Sequence, residues 1–279
     1  MASAPLVEPV GSVASVWRYP VKSMLGEEVT AADVNARGLS GDRAYALVDG
    51  SDGKVASAKN PRKWPQLFRF RAALMDLPQS GSRRPPVRIT MPDGRVMMSD
   101  EPELPETLSD LLGRTVTVQS STGFPRTARA EEYWPDVEGL DLRDTVTDFE
   151  LPEGTFFDAA VLHLLTTATL DRLGALYPEG RFDSRRFRPN VVVATSEHVR
   201  GFAENAWTGR VVHIGADIRL RVTGPCGRCV MTTLAQGDLP KDSGILRTAA
   251  RHNELHVGVY AAVLRGGRIR RGDAVSLSD

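Results

Sequence analysis

The stretch HVGVYAAVLRGGRIRRGDAVSL, residues 256–277, interleaves β-branched and aromatic residues with small or charged ones on both sides of Gly266-Gly267. That texture favours extended backbone with one face half buried, and a Gly-Gly pair between two such runs predicts a hairpin turn. The texture continues back along the chain. RVVHIGADIRLRVTG (210–224), FRPNVVVAT (187–195), RAYALVD (43–49) and VASVWRYPV (13–21) all read as strands. Turn signals in DGSDGKVAS (49–57) and in VRITMPDGRVMMS (87–99) join further short strands. Many short strands with Gly and Pro between them imply a mainly β architecture, a barrel or sandwich, with a few short helices.

Helical spacing is confined to PETLSDLLG (105–113), TTATLDRLGALYP (166–178) and DSGILRTAARHN (242–253). There is no internal repeat and no heptad. The polar, proline-containing stretch 124–154 reads as a connection between two β-rich parts, residues 12–125 and 126–279.

The 279 residues are 41% hydrophobic, enough to bury a core, and basic and acidic residues cancel at 35 each. A neutral chain lacks the overall pull toward nucleic acid or anionic lipid that a basic one has, so no nucleic-acid or membrane partner is expected. No run reaches the length of a membrane span, and the first residues lack a basic and apolar leader, so a cytoplasmic protein is expected. Among the basic residues only Lys22, Lys54, Lys59, Lys63 and Lys241 are lysines. Arginine suits phosphate and carboxylate, although its excess also follows from codon bias.

Both cysteines fall in GPCGRCVMTT (224–233). A CxxC pair supports four readings. A thioredoxin-type dithiol would need a helix after the first cysteine, and the β-branched VMTT starts a helix poorly. A zinc site could recruit His252 and His256, but the spacing exceeds that of a small finger. A disulfide is rare in cytosol. The fourth reading makes one cysteine the thiolate ligand of a soft or redox-active metal that brings most of its ligands with a cofactor.

Taken with RYPVKS (18–23), RGLSGDRAYALVD (37–49), ASAKNPRKWP (56–65) and RFRPNVVV (186–193), this segment resembles the MOSC proteins. The family is named after the molybdenum cofactor sulfurase C-terminal domain. The resemblance is to its two-part form with an N-terminal MOSC-type β-barrel domain, as in the mitochondrial amidoxime-reducing component and its bacterial relatives, and it spans about residues 12–277. It implies molybdenum cofactor, with Cys229 as the protein thiolate on the metal. It implies too that Lys22, Ser23, Arg43 and Arg188 line the pterin and phosphate pocket, a set of donors that suits an anion. Gly227 and Arg228 stand beside the metal, Asn190 at the pterin edge, and Asp158 near the metal as a candidate catalytic group. Cys226 reads as a small buried neighbour and His163 as a core histidine. Ala159 and Ala160 replace the hydroxyl residues that the amidoxime-reducing type carries after the aspartate.

The activity implied is two-electron reduction of N-hydroxylated or N-oxide small molecules. Two cysteines leave none for an iron–sulfur centre and no GxGxxG fingerprint is present, so a separate reductase or ferredoxin-type electron donor is implied. A cofactor carrier or sulfur-transfer protein without turnover is the alternative.

Overall fold

Among the described residues, eighteen strands and three α-helices arise from short runs punctuated by turns. The structure is a computed structural model and describes residues 7–75, 85–122, 124, 128–137 and 142–279. In chain order the first part contains β1 (Glu8–Arg18), β2 (Glu27–Val29), β3 (Ala31–Asn35), β4 (Gly38–Leu39), β5 (Tyr45–Asp49), β6 (Arg71–Leu74), β7 (Val87–Thr90), β8 (Val96–Met98), helix α1 (Leu104–Leu112) and β9 (Val116–Ser120). Then come β10 (Arg129–Trp134) and β11 (Thr145–Glu150). The last part contains β12 (Leu162–Thr166), α2 (Thr167–Leu176), β13 (Val191–Thr195), β14 (Val211–Ile214), β15 (Ile218–Gly227), α3 (Gly244–Asn253), β16 (His256–Arg265), β17 (Gly267–Arg270) and β18 (Ala274–Ser278).

Seven strands close a barrel in the order β13-β12-β16-β15-β14-β18-β1, and β1 pairs back onto β13. Only β12–β13 is parallel; the other pairs are antiparallel. Inward residues such as Val13, Val16, Leu164, Val193, Val212, Leu220, Val259 and Leu277 form its core. The closing strand thus comes from the opposite end of the sequence. At the seam, Gly11 faces Thr195 on one side and Val275 on the other. A Cβ on Gly11 would stand 1.9 Å from the Ala194 carbonyl oxygen. Gly11→Ala is therefore expected to lower unfolding free energy by about 2–3 kcal/mol, the cost of overpacking against backbone that cannot turn aside, read as a lower urea midpoint.

A second core gathers Val21, Met24, Leu47, Trp64, Phe68, Phe70, Ile89, Leu104 and Leu108 around the β5–β9 and β6–β7–β8 sheets and α1. Met231 is part of it, and Cys229 and Leu234 pack against it, so the segment after the CxxC is gripped by the N-terminal part.

Three expectations change. Gly266-Gly267 is no hairpin: β17 leaves β16 and pairs with β3, Gly267 opposite Val34. The glycines serve close approach instead, for a Cβ on Gly266 would meet the Val34 carbonyl oxygen at 2.4 Å. The connecting stretch contains a hairpin, β10 with β11. Its pattern was hidden because one inward position of β10 is Glu132, buried against Lys59 rather than apolar. Finally, VMTT, a run that starts a helix poorly, nonetheless forms a 3₁₀ turn, Val230–Thr233, with Cys229 at its cap. The Thr232 and Thr233 hydroxyls donate back to the Cys229 and Val230 carbonyls at 3.0 and 2.8 Å, which offsets the poor helical propensity of the run. Among the described residues no helix is long and apolar enough to cross a membrane.

Candidate active site

One cleft between the two cores is walled by Lys22, Ser23, Arg43, Asp158, Arg188, Asn190, Gly227, Arg228 and Cys229, the whole set singled out from the sequence. Lys59, His163, Cys226, Met231, Tyr260, three phenylalanines (Phe156, Phe157, Phe187) and the two alanines Ala159 and Ala160 complete it. The barrel contributes strand ends and the N-terminal part contributes the bend after β1 and the Ser57–Lys59 segment.

Backbone strain concentrates here. Ser23, Arg43 and Arg188 all hold positive φ, at 64°, 45° and 53°, a region that side chains other than glycine and asparagine rarely adopt. Each is pinned by hydrogen bonds. Ser23 Oγ accepts from the Ala58 N–H at 3.0 Å, Arg43 N donates to Tyr19 O at 2.9 Å, and Arg188 N donates to Ser184 O at 3.1 Å. The result is two guanidinium groups over one aromatic ring, with Arg43 Cζ 4.5 Å and Arg188 Cζ 4.1 Å from the Tyr19 centroid. Behind them lies buried Asp42, which accepts from Tyr19 N at 2.7 Å and Asn190 Nδ2 at 2.9 Å and pairs with Arg43.

Asn190 reaches the wall with its amide already committed. Nδ2 donates to Asp42 and Trp17 O, and Oδ1 accepts from His163 N at 3.1 Å. It ties β1, β12 and the Arg188 loop together and has little left for a ligand edge. Asp158 is bound on both oxygens, to Lys22 on one and to Lys59 Nζ at 3.7 Å on the other. Although burial would raise its pKa, Lys22 and then Lys59 override this and hold the carboxyl well below the usual carboxylate range. Asp158 is thus a fixed anion and acceptor at neutral pH, and cannot serve there as a proton donor. Lys22 also donates to Phe156 O at 3.0 Å, and burial lowers its pKa below the ordinary lysine value.

The two thiols diverge. Cys226 and Cys229 are both free. Burial, reinforced by Glu132 and only partly offset by Lys59, pushes the Cys229 thiol up to about 11. His163 is buried, with Nε2 3.1 Å from Val257 O, yet its ring also forms part of the cleft wall. His252 and His256 do not join the cysteines: among the described residues no three His, Cys, Asp or Glu side chains converge as metal ligands.

Sequence reasoning missed Lys59, Asp42, Tyr19, Glu132 and Tyr260. Tyr19, Asp42, Lys59 and Tyr260 sat inside quoted segments, and no periodicity marks a polar residue turned inward across a domain junction.

The donor set fits an anionic cofactor that carries a soft metal. Five cations line the cleft against Asp158 on the wall and Asp42 and Glu132 behind it. Burial, then Arg43, lowers Arg188 to about 10, so the site carries repulsion that an anion would relieve. Arg228 Nε is buried without a hydrogen-bond partner, a donor left for a ligand. One thiol, Cys229, is partly exposed to the cleft beside these cations.

Comparison with known proteins agrees with this architecture. The family model described as the MOSC N-terminal beta barrel domain matches residues 10–108, and that of the MOSC domain matches residues 152–276. The chain belongs to the MOSC-domain proteins that carry this N-terminal domain. Similar curated proteins include mitochondrial amidoxime-reducing component 1 of Mus musculus, 24% identical over 97% of this chain and 83% of that one. Mitochondrial amidoxime reducing component 2 of Homo sapiens is 25% identical over 96% of this chain and 84% of its own length. Among solved structures, the YUAD protein from Bacillus subtilis aligns over 97% of both chains at 12% identity with a TM-score of 0.48. The family has a molybdenum-cofactor-associated function.

Proposed function

We propose that this chain is a molybdenum-cofactor oxidoreductase that reduces N-hydroxylated or N-oxide small molecules with electrons from a separate donor protein. The observation that carries the reading is the cationic cleft with a single partly exposed thiol, Cys229, at the junction of the two domains. When bound, the cofactor would supply a two-electron redox centre, with Cys229 as its protein thiolate. Arg43, Arg188, Lys22 and Arg228 would hold its anionic groups by charge-assisted hydrogen bonds, and Ser23 would add a hydroxyl. The overall change, an N-hydroxy compound plus two electrons and two protons giving the reduced nitrogen compound and water, needs proton donors. Lys22, its ammonium destabilised by burial and hydrogen-bonded to Asp158, is the wall residue best suited to give one up. The names of the curated relatives, amidoxime-reducing components, support the substrate class.

The test combines metal analysis with turnover. Protein from a host that makes molybdenum cofactor should contain molybdenum and oxidise a reduced viologen dye when given an amidoxime. Molybdenum without turnover, together with transfer of cofactor to an apo-molybdoenzyme, would favour the carrier alternative. Arg188→Ala is expected to weaken cofactor binding by about 1–3 kcal/mol, the scale of a lost charge-assisted hydrogen bond, measured as molybdenum per chain at limiting cofactor.

A further inference from the structure

Cys226 is 1% exposed and has no part in the ligand set above. Its surroundings are unusual for a small core residue. Arg228 Nη1 donates to Cys226 Sγ at 2.7 Å, while Nη2 of the same guanidinium donates to Phe187 O at 2.7 Å. Phe187 also lies under the guanidinium, with Cζ 5.6 Å from its ring centroid. The main chain is anchored too, because Arg228 N donates to Leu255 O at 2.8 Å from a stretch where Glu254 and Leu255 both carry positive φ. Nε alone remains buried and unpartnered, in a residue that lines the cleft.

We propose that Cys226 is a positioning residue, an anionic clamp whose sulfur fixes the Arg228 guanidinium so that its Nε–H is offered to an acceptor atom of the anionic ligand in the cleft. With both terminal nitrogens engaged, the guanidinium has no rotational freedom to lose on ligand binding, and its remaining donor is preorganised. The groups that face the sulfur are Arg228 from its own segment, His163 from β12 and Tyr260 from β16. Those two strands hold His163 and Tyr260 opposite each other. Burial by itself would raise the thiol; Arg228, then His163 and Tyr260, outweigh it and bring Cys226 down to about 6 from an ordinary 9.0. A folded value below the unfolded one means that the clamp contributes fully above about pH 9 and is lost as pH falls through about 6.

The identity of the ligand rests on the molybdenum-cofactor reading, whereas the clamp can be tested without any ligand. In the Cys229→Ala protein Cys226 is the sole thiol, and its thiolate absorbance near 240 nm reports its titration. The midpoint should lie near 6 and should rise by at least about one pH unit when Arg228→Met is added. An unchanged midpoint would overturn the clamp. In the protein with Cys229 intact, Cys226→Ser keeps size without charge, and Cys226→Asp restores an anion. Molybdenum content at limiting cofactor should fall about tenfold in the serine variant and recover in the aspartate variant, the scale of one charged hydrogen bond. Equal loss in both would show that sulfur packing rather than charge matters and would overturn the proposal. Failure of the unsubstituted protein to load molybdenum at all would sink the cofactor reading, with the absorbance titration still deciding the clamp.

Discussion

Cys229→Ala is expected to purify without molybdenum from a cofactor-producing host, a loss of more than about tenfold in metal per chain by elemental analysis. The thiol packs against the N-terminal core while its own backbone caps the 3₁₀ turn, so the side chain is held at one place on the cleft wall. Removing this sulfur deletes the accessible thiol there, because Cys226 is buried against Arg228 and Met231 belongs to the core, and it leaves cations that suit an anion but not a metal. Stability should change little, since alanine keeps the Cβ and loses a single, partly exposed sulfur atom. Molybdenum retained in Cys229→Ala would require a different ligand and would overturn the assignment. Cys226→Ser, by contrast, should still load when cofactor is in excess, because it weakens an arginine contact and spares the metal ligand.

The largest effect on stability is expected at a residue that touches no ligand. Arg186 is wholly buried, and its hydrogen bonds to described residues go to backbone carbonyls. Its Nε donates to Arg181 O at 2.8 Å, Nη1 to Thr232 O and Leu234 O at 3.2 and 3.3 Å, and Nη2 to Pro240 O at 2.8 Å. Four carbonyls of otherwise irregular chain are thus satisfied by one guanidinium, and two of them belong to the turn that follows Cys229. Arg186→Ala strips their donors and leaves a void, at a cost of about 3–5 kcal/mol. Arg186→Lys, with fewer donors and no planar fork, should recover only part of this. Urea unfolding of both variants checks the order. A shift below about 1 kcal/mol for alanine would mean that water or rearranged chain replaces the arginine.

How much of this could be read beforehand differs between fold and site. The barrel strands were legible because Val191–Val193, Val211–Ile214 and Val257–Val263 are rich in β-branched residues, and the three helices because their leucines and alanines recur at helical spacing. Partner choice was not legible. Whether β17 continues to hairpin with β16 or crosses to β3 depends on which backbone approaches Gly266, a tertiary fact. The site residues were singled out through resemblance, and local pattern alone would have left Arg43 and Arg188 on the surface. Their left-handed backbone and their stacking on Tyr19 are produced by contacts far away in sequence, such as Arg188 Nη1 with Met24 O at 2.7 Å.

The strand that closes the barrel has a consequence for synthesis. β1 leaves the ribosome first, but its partners β13 and β18 are made about 180 and 260 residues later. At a typical elongation rate, roughly 5–20 residues per second, the positions of this strand that face β13 and β18 wait on the order of ten seconds or more, while Val16–Arg18 can pair at once with β2. Met24, Leu47 and their neighbours can collect around the N-terminal sheets in the meantime, yet the barrel has no complete wall until the last strand emerges. A chain stalled or cut short of β18 would present an open edge, the feature that invites pairing with other chains. The cleft, built from both parts, can therefore take shape only after the C-terminal barrel strands have been made, which sets the earliest moment at which an anionic ligand could be received.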